Sequence, residues 1–261
     1  MSNTVAIVQA SRGAGPADPK IFRKLGGKSL FEWLIRRATD CPHLSGAVVV
    51  LGNGAEHERL RELVPSDVPV YAGGEHDSLS RVCAAMRCFR ASAIVRVCAD
   101  NPFVDPVLID RLVNTAAAHP ECDYISYCSA DGRPATLSHL GVFAEWCSAA
   151  ALELADQEAR RASDRVDATR YLYSHPERFH VRLIPIPVGL DRFDLRLKVD
   201  REEDWDHAQV IFETLGHEEL NWQRIAGLLD TQPAIRERMA VLNAASRLGY
   251  EPDADLAATH G

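Results

Sequence analysis

TVAIVQASRGAGPADPK, residues 4–20, opens the chain with a β-branched apolar run that stops at a loop rich in Gly, Ala and Pro and ends on Lys20. A run of this kind reads as a buried strand. The loop leaving its carboxyl end stands where open α/β sheets place their ligands. Its backbone N–H groups and Lys20 can hold phosphate, and the same residues also make an ordinary Gly/Pro turn.

Working outward, short β-branched runs alternate with amphipathic segments, the pattern of βαβ units and a mostly parallel sheet. Leu30, Phe31, Leu34, Ile35 and Ala38 fall at helical spacing, and AVVVLG (47–52) reads as a second strand. VPVYAG (68–73), a helix over 78–90 and AIVRVC (93–98) complete a doubly wound half. Asp105-Pro106 then supplies an N-cap and a first-position proline to a helix whose apolar face carries Leu108, Ile109, Leu112 and Val113. DYISYC (123–128) is another strand. Residues 129–180 are irregular, with a short apolar piece LGVF, an Ala-rich helix to about 155 and a charged helix around DRVDATRYLY, and they read as an inserted arm. Strands are expected at VRLIPIP (181–187) and LRLKVD (195–200), then helices near 202–215, 221–230 and 234–247. The division that follows is a main domain over 1–220, holding the arm, and a helical appendage over 221–261.

With 261 residues, 46% of them apolar, the chain can build a packed core. A net charge of −8 without a run of Lys or Arg excludes a nucleic-acid partner, which needs a basic face. Seven cysteines without a C-x-x-C pair point to reduced thiols, with Cys83, Cys88 and Cys98 as small hydrophobes rather than metal ligands. The N-terminus lacks the pattern of a secretory leader, and no run of about 18 apolar residues occurs, so a cytoplasmic location away from membranes is expected. GGKS (26–29) imitates the end of a P-loop, but Phe22 stands where that pattern needs its first glycine and no strand precedes it.

Two aspartates close expected strands. Asp100, in RVCADNPFVDP, is followed by Asn-Pro and is no helix cap; Asp200, in LKVDREEDW, with Glu203 three residues on, also fits a capping box. Two carboxylates at strand ends facing a lysine-bearing loop suit Mg2+ bridging a triphosphate, because Mg2+ takes hard oxygen ligands and few protein contacts.

The order of pieces IVQA…PK, KLGGKSLFEWLIRRA, YAGGEHDSLSRV, IVRVCADNPFVDPVLIDRLV, DYIS, DRVDATRYLYSHPERFHV, LRLKVDREEDWDHAQVIFETL and WQRIAGLLDTQPAIRERM, over about residues 4–240, resembles the cytidylyltransferase-like nucleotidyltransferases of the spore-coat polysaccharide (SpsF) type. These are relatives of the enzymes that make CMP-linked sugar acids. The resemblance implies an α/β, Rossmann-like nucleotide-diphospho-sugar transferase fold with a mostly parallel sheet and a dimerisation arm. It implies transfer of a nucleotidyl group from CTP to a small acidic acceptor with release of pyrophosphate, by a homodimer. Carried over to this sequence, Gln9, Ala10, Ser11, Gly13, Ser80 and Arg81 would meet nucleotide. Lys20, Arg12 and Asp100 would serve the reaction, Asp164 and Arg165 the acceptor, and Asp100 and Asp200 would hold Mg2+.

The loop departs from the family pattern Q-A-R-x-x-S-x-R-L-P-x-K: Ser11 and Pro16 occupy the arginine positions, Ala14 the serine position, the proline has moved to Pro19, and Arg12 comes one residue late. DRVDAT and SHLGVF also replace the family's usual middle segments. Three readings follow: a Mg-dependent cytidylyltransferase-like enzyme, a nucleotide-binding member of the same fold with little or no catalysis, and a nucleotide-sugar glycosyltransferase. The third is disfavoured because Asp204-Trp205-Asp206 falls in an expected helix rather than after a middle strand. Loss of two arginines leads to an expectation of weak CTP binding and slow turnover of eight- and nine-carbon sugar acids, dependent on Lys20.

Overall fold

The computed structural model describes residues 3–10, 19–74 and 77–248. The chain runs through β1 (Thr4–Gln9), β2 (Lys24–Leu25), β3 (Lys28–Ser29), α1 (Leu30–Thr39), β4 (Ala47–Leu51), α2 (Ala55–Arg61), β5 (Val70–Ala72), α3 (Ser78–Cys88), β6 (Ala93–Cys98) and α4 (Pro106–Ala118). It continues through β7 (Tyr124–Cys128), β8 (Glu145–Ser148), α5 (Ala149–Glu158), α6 (Ala162–Val166), α7 (Arg170–Tyr173), β9 (Val181–Pro185), α8 (Glu202–Leu215), α9 (Trp222–Asp230) and α10 (Pro233–Leu248).

Strand β1 is apolar at every position but its ends because it is covered on both faces. Ala6 and Val8 join a core built with α1, α4, α8, α9 and α10. Val5 and Ile7 point the other way, into a core built with α3, α5 and α7. The sheet order is β5-β4-β1-β6-β8-β7-β9. Neighbours β5, β4, β1 and β6 are parallel, as are β7 and β9, while β8 runs antiparallel to both β6 and β7. This is an α/β fold with a mostly parallel central sheet.

Local chemistry sets the helix starts. Ser29 caps α1 and forms a capping box with Glu32, so the Ser of GGKS is spent on a helix, and Gly26–Gly27 turn the small β2–β3 hairpin. Asp105 accepts from the Val107 and Leu108 N–H groups at 2.9 and 3.3 Å, and its second oxygen accepts from Trp222 N–H at 2.8 Å, which ties α9 to the start of α4.

Two expected elements differ. Residues 195–200 are extended but form no strand: Leu197 and Lys198 donate to the His139 carbonyl at 3.0 and 3.1 Å, and Val199 donates to that of Asp100 at 2.9 Å. Its hydrogen bonds go to loops rather than to a ladder. The middle section, in turn, inserts β8 into the sheet between β6 and β7. Glu145 broke the apolar pattern there; it is 3% exposed and satisfied by Arg96 from the neighbouring strand. At 200–204 the cap is also shifted by one residue: Asp204, not Glu203, accepts from the Arg201 N–H, at 2.9 Å.

Candidate active site

The carboxyl ends of β1 and β6 lie side by side, Gln9 opposite Cys98 in register. Gln9 is buried, and its amide is held at both ends: Nε2 donates to the Ser78 hydroxyl at the start of α3, and Oε1 accepts from Arg96 Nε at 3.1 Å. The Gln9 side chain is thereby spent on anchoring the end of β1 to α3 and β6. Ala10 is buried beside it, and Lys20 sits half-buried in the helical turn Pro19–Phe22. Ser11, Arg12, Gly13, Ala14 and Pro16 lie outside the described residues.

Arg96 is the centre of this wall. It is 1% exposed and pairs with Glu145 at 2.6 Å and Asp167 at 2.8 Å, and donates to the Thr169 hydroxyl at 3.0 Å. Burial works against the charge of this guanidinium; the facing Asp167 and Glu145 carboxylates overcome it and hold its pKa well above the ordinary value. Tyr124, which donates to Glu145, is held neutral chiefly by burial.

At the start of α3, Ser80 and Arg165 are brought together. Arg165 donates to the Ser80 hydroxyl at 2.6 Å, to Asp77 at 2.9 Å, to Asp156 at 2.5 Å, and to the Asp156 and Ala159 carbonyls at 3.0 Å. Its guanidinium pins the 156–165 segment against α3. Desolvation works against the Asp77 charge, and the Ser80 N–H and Arg165 outweigh it, leaving its pKa below the ordinary value. Asp164 is buried, with its carboxylate 3.7 Å from Arg170. Arg81 is buried by the end of β4, where Gly52 leaves room for its guanidinium and for His57.

Asp100 and Asp200 come from segments a hundred positions apart that the Val199–Asp100 hydrogen bond makes adjacent. Asp100 Oδ2 accepts from Lys198 Nζ at 2.8 Å, while Oδ1 is buried and has no hydrogen-bond partner among the described residues. Asp200 pairs with Arg196 and lies 3.6 Å from His139 Nδ1. Against desolvation, His139, Asp204, Arg196 and Lys198 keep the Asp200 carboxyl well below the ordinary carboxylate range. Arg196 is itself 1% exposed and anchored by Asp204 at 2.7 Å and by Asn243 at 3.3 Å. Beside this floor opens a cavity of about 520 Å3 whose polar lining includes Arg133, His139, Arg192, Lys198, Asn243 and Ser246.

Sequence reasoning missed Arg96, Lys198, Arg196 and His139. The first three stand inside AIVRVC and LRLKVD, and a charge inside an apolar run requires a buried partner. The cysteines are free among the described residues, and burial pushes the Cys83 and Cys41 thiols up to about 12, which makes them poor nucleophiles. Among the described residues no helix is long and apolar enough to cross a membrane.

Residues 9–170 match the family described as the MobA-like NTP transferase domain. An uncharacterized protein of Methanocaldococcus jannaschii is 29% identical over 236 residues, 89% of this chain and 92% of its own length. The spore coat polysaccharide biosynthesis protein SpsF of Bacillus subtilis is 25% identical over 248 residues, 92% of this chain and 100% of its own. In structure, a cytidylyltransferase from Leptospira borgpetersenii superposes with a TM-score of 0.80 at 19% identity, over 90% of this chain and 97% of the other. The family match spans more than half of the sequence, and the chain belongs to the MobA-like NTP transferase domain family, a nucleotidyltransferase family, with SpsF and a cytidylyltransferase among the proteins it is similar to.

Proposed function

We propose that the protein transfers a cytidylyl group from CTP to an acidic sugar or related anionic acceptor and releases pyrophosphate. The observation that carries this reading is the floor at Asp100 and Asp200 beside a cavity lined by Arg133, Arg192, Lys198 and His139 together with Asp131 and Asp191. The buried Asp100 Oδ1 without a hydrogen-bond partner among the described residues is the oxygen a hard cation would take, and Asp200 offers a second carboxylate. Two carboxylates suit Mg2+, which takes hard oxygen ligands and few protein contacts. Bound there, Mg2+ would supply a counter-charge for the triphosphate and the leaving pyrophosphate.

The chain's own residues do the rest. The backbone leaving β1, held by Gln9, Ser78 and Arg96, lies where the phosphates pass. Lys20 offers charge to the leaving group. Arg133, Arg192 and His139 line the cavity that would orient the acceptor's anionic group. An acceptor oxygen then forms the new bond to the α-phosphorus as the bond to pyrophosphate breaks, and the acceptor's proton is released to the medium. We further propose a homodimer formed through residues 129–180, whose helix α6 exposes Val166 at 49%.

A second reading, nucleotide binding with feeble turnover, is favoured by one observation: Ser11 and Pro16 stand where the family carries arginines. One panel separates the two. The four nucleoside triphosphates with Mg2+ are scored for thermal stabilisation and, with acidic sugars added, for pyrophosphate release; light scattering on the same sample reads the dimer. We expect CTP to stabilise the protein most, an effect lost in Lys20→Ala, with slow turnover. Absence of CTP stabilisation, or a Lys20→Ala variant that binds as well as the parent, would overturn the reading.

A further inference from the structure

Asp100 and Asp200 are neutralised by two different kinds of cation. Arg196, beside Asp200, is sealed: its three nitrogens are engaged by Asp200, Asp204, Asn243 and Ser246, and it cannot move without unpacking α8 from α10. Lys198, 8% exposed, is held at its ammonium by Asp100 alone among the described residues. The residue lines two spaces, the cavity of about 520 Å3 and a small void of about 10 Å3 that also borders Arg96, Cys98 and Gly141. Its backbone is fixed by the hydrogen bonds of Lys198 to His139 and of Val199 to Asp100, so only the side chain has freedom. A four-carbon stem can leave Asp100 and enter the larger cavity with no change in the main chain.

We infer that Lys198 is an exchangeable counter-ion: it occupies Asp100 in the metal-free protein, is expelled by the divalent cation, and is thereby delivered into the cavity as a positioning cation for the acceptor's anionic group. The inference rests on the proposed metal site at Asp100 and Asp200. Its logic is electrostatic. A carboxylate already holding an ammonium at 2.8 Å in a partly buried place presents a poor site for a dication. Without the ammonium, the same carboxylate and its free Oδ1 present a better one. Metal binding and acceptor binding are then coupled through one side chain, and each favours the other.

The test measures Mn2+ affinity without nucleotide, by electron paramagnetic resonance of the free ion, in the parent and in Lys198→Met, Lys198→Arg and Asp100→Asn. We expect Lys198→Met to bind at least about tenfold more tightly than the parent, Lys198→Arg to bind like the parent or more weakly, and Asp100→Asn to lose binding. Lys198→Met binding no more tightly than the parent, with Asp100→Asn still defective, would overturn the exchange and leave the metal reading standing. No Mn2+ binding in any of the four proteins would overturn both. A structure of the parent soaked in Mn2+ gives a readout that needs no variant to fold: Lys198 Nζ should leave Asp100 for the larger cavity, and a metal on Asp100 with the ion pair intact would refute the exchange.

Discussion

The Arg96 centre, inside β6, and the Asp100–Asp200 floor, just past the end of that strand, hold similar charges and are built to opposite ends. Around Arg96 the carboxylates of Glu145 and Asp167 are joined by neutral partners, Gln9 and Thr169, and closed from solvent. Each place keeps one buried atom without a hydrogen-bond partner among the described residues, Arg96 Nη2 in one and Asp100 Oδ1 in the other, but only at the floor does the cation border a large cavity. A network closed from solvent specifies structure, because every member depends on the others. One that opens on a cavity has room for a ligand.

The largest effect that would test this contrast comes from removing one charge in each place. Arg96→Met leaves Glu145 and Asp167 buried without their cation, and breaking such a pair from one side costs about 3 to 5 kcal/mol. Asp100→Asn leaves Lys198, 8% exposed, without its carboxylate at a pair whose acidic side chain is 25% exposed, and should cost less, about 1 to 3 kcal/mol. Urea denaturation of the two variants checks both. Equal losses would show that the floor is as structural as the wall.

Next in size is the backbone that carries the floor. Gly141 has φ +66°, and a Cβ there would stand 2.4 Å from Lys198 N and 2.6 Å from Leu197 C. Gly216 has a similar φ, +68°, with ψ 173°, and nothing within 4 Å of a Cβ. Gly216→Ala should therefore cost about 1 to 3 kcal/mol for that glycine-favouring conformation alone. Gly141→Ala must also push residues 197–198 away from the loop, and should cost about 2 to 4 kcal/mol. It should also weaken Mn2+ binding, which Gly216→Ala should not. If the two alanines are equally costly, the close approach of 139–141 to 197–198 is not what holds the floor in place.

The same contrast explains what the sequence revealed. The parallel half was readable because each of its strands is apolar on two faces and each helix has an apolar stripe: 47–52 and 93–98 were placed as strands and 202–215 as a helix, in agreement with β4, β6 and α8. The helical cap at Asp105 was readable because Asp-Pro has one local meaning. Residues 145–148 and 195–200 were not readable, since Glu145, Arg196 and Lys198 owe their burial to partners from 4 to 98 positions away. The floor's Asp100 could be named from a motif. Its lysine could be found only by asking what a cation in LRLKVD would face.

The smallest effect concerns pH, and it distinguishes the two regions by what each can titrate. Near Arg96, burial pushes Tyr124, Tyr173 and Cys147 upward, further from the range between about pH 5 and 7, and no histidine pairs with Arg96 among the described residues. Beneath Arg196, helix α8 carries His207, which is 5% exposed and whose Nδ1 has no partner among the described residues. Burial lowers its pKa, Arg238 adds to that, and Asp204, Asp206 and Glu203 oppose it without prevailing. Above the unfolded value near 6.5 the imidazole is neutral in both states, and its contribution is fully present. As pH falls through that value the unfolded chain takes up a proton that the folded chain refuses, so stability is lost until the folded pKa is passed, with a slope no steeper than about 1.4 kcal/mol per pH unit. The depressed carboxylates Asp77, Asp194 and Asp200 lose their contribution only below about pH 4, outside this window. His57, lowered by burial and by Arg81, titrates in the same direction and remains in every variant as the background. The urea midpoint of the parent should therefore fall between pH 7 and 5 more steeply than that of His207→Gln. Parallel curves for the two proteins would place the acid-sensitive step elsewhere and remove the distinction between a titratable floor and an inert wall.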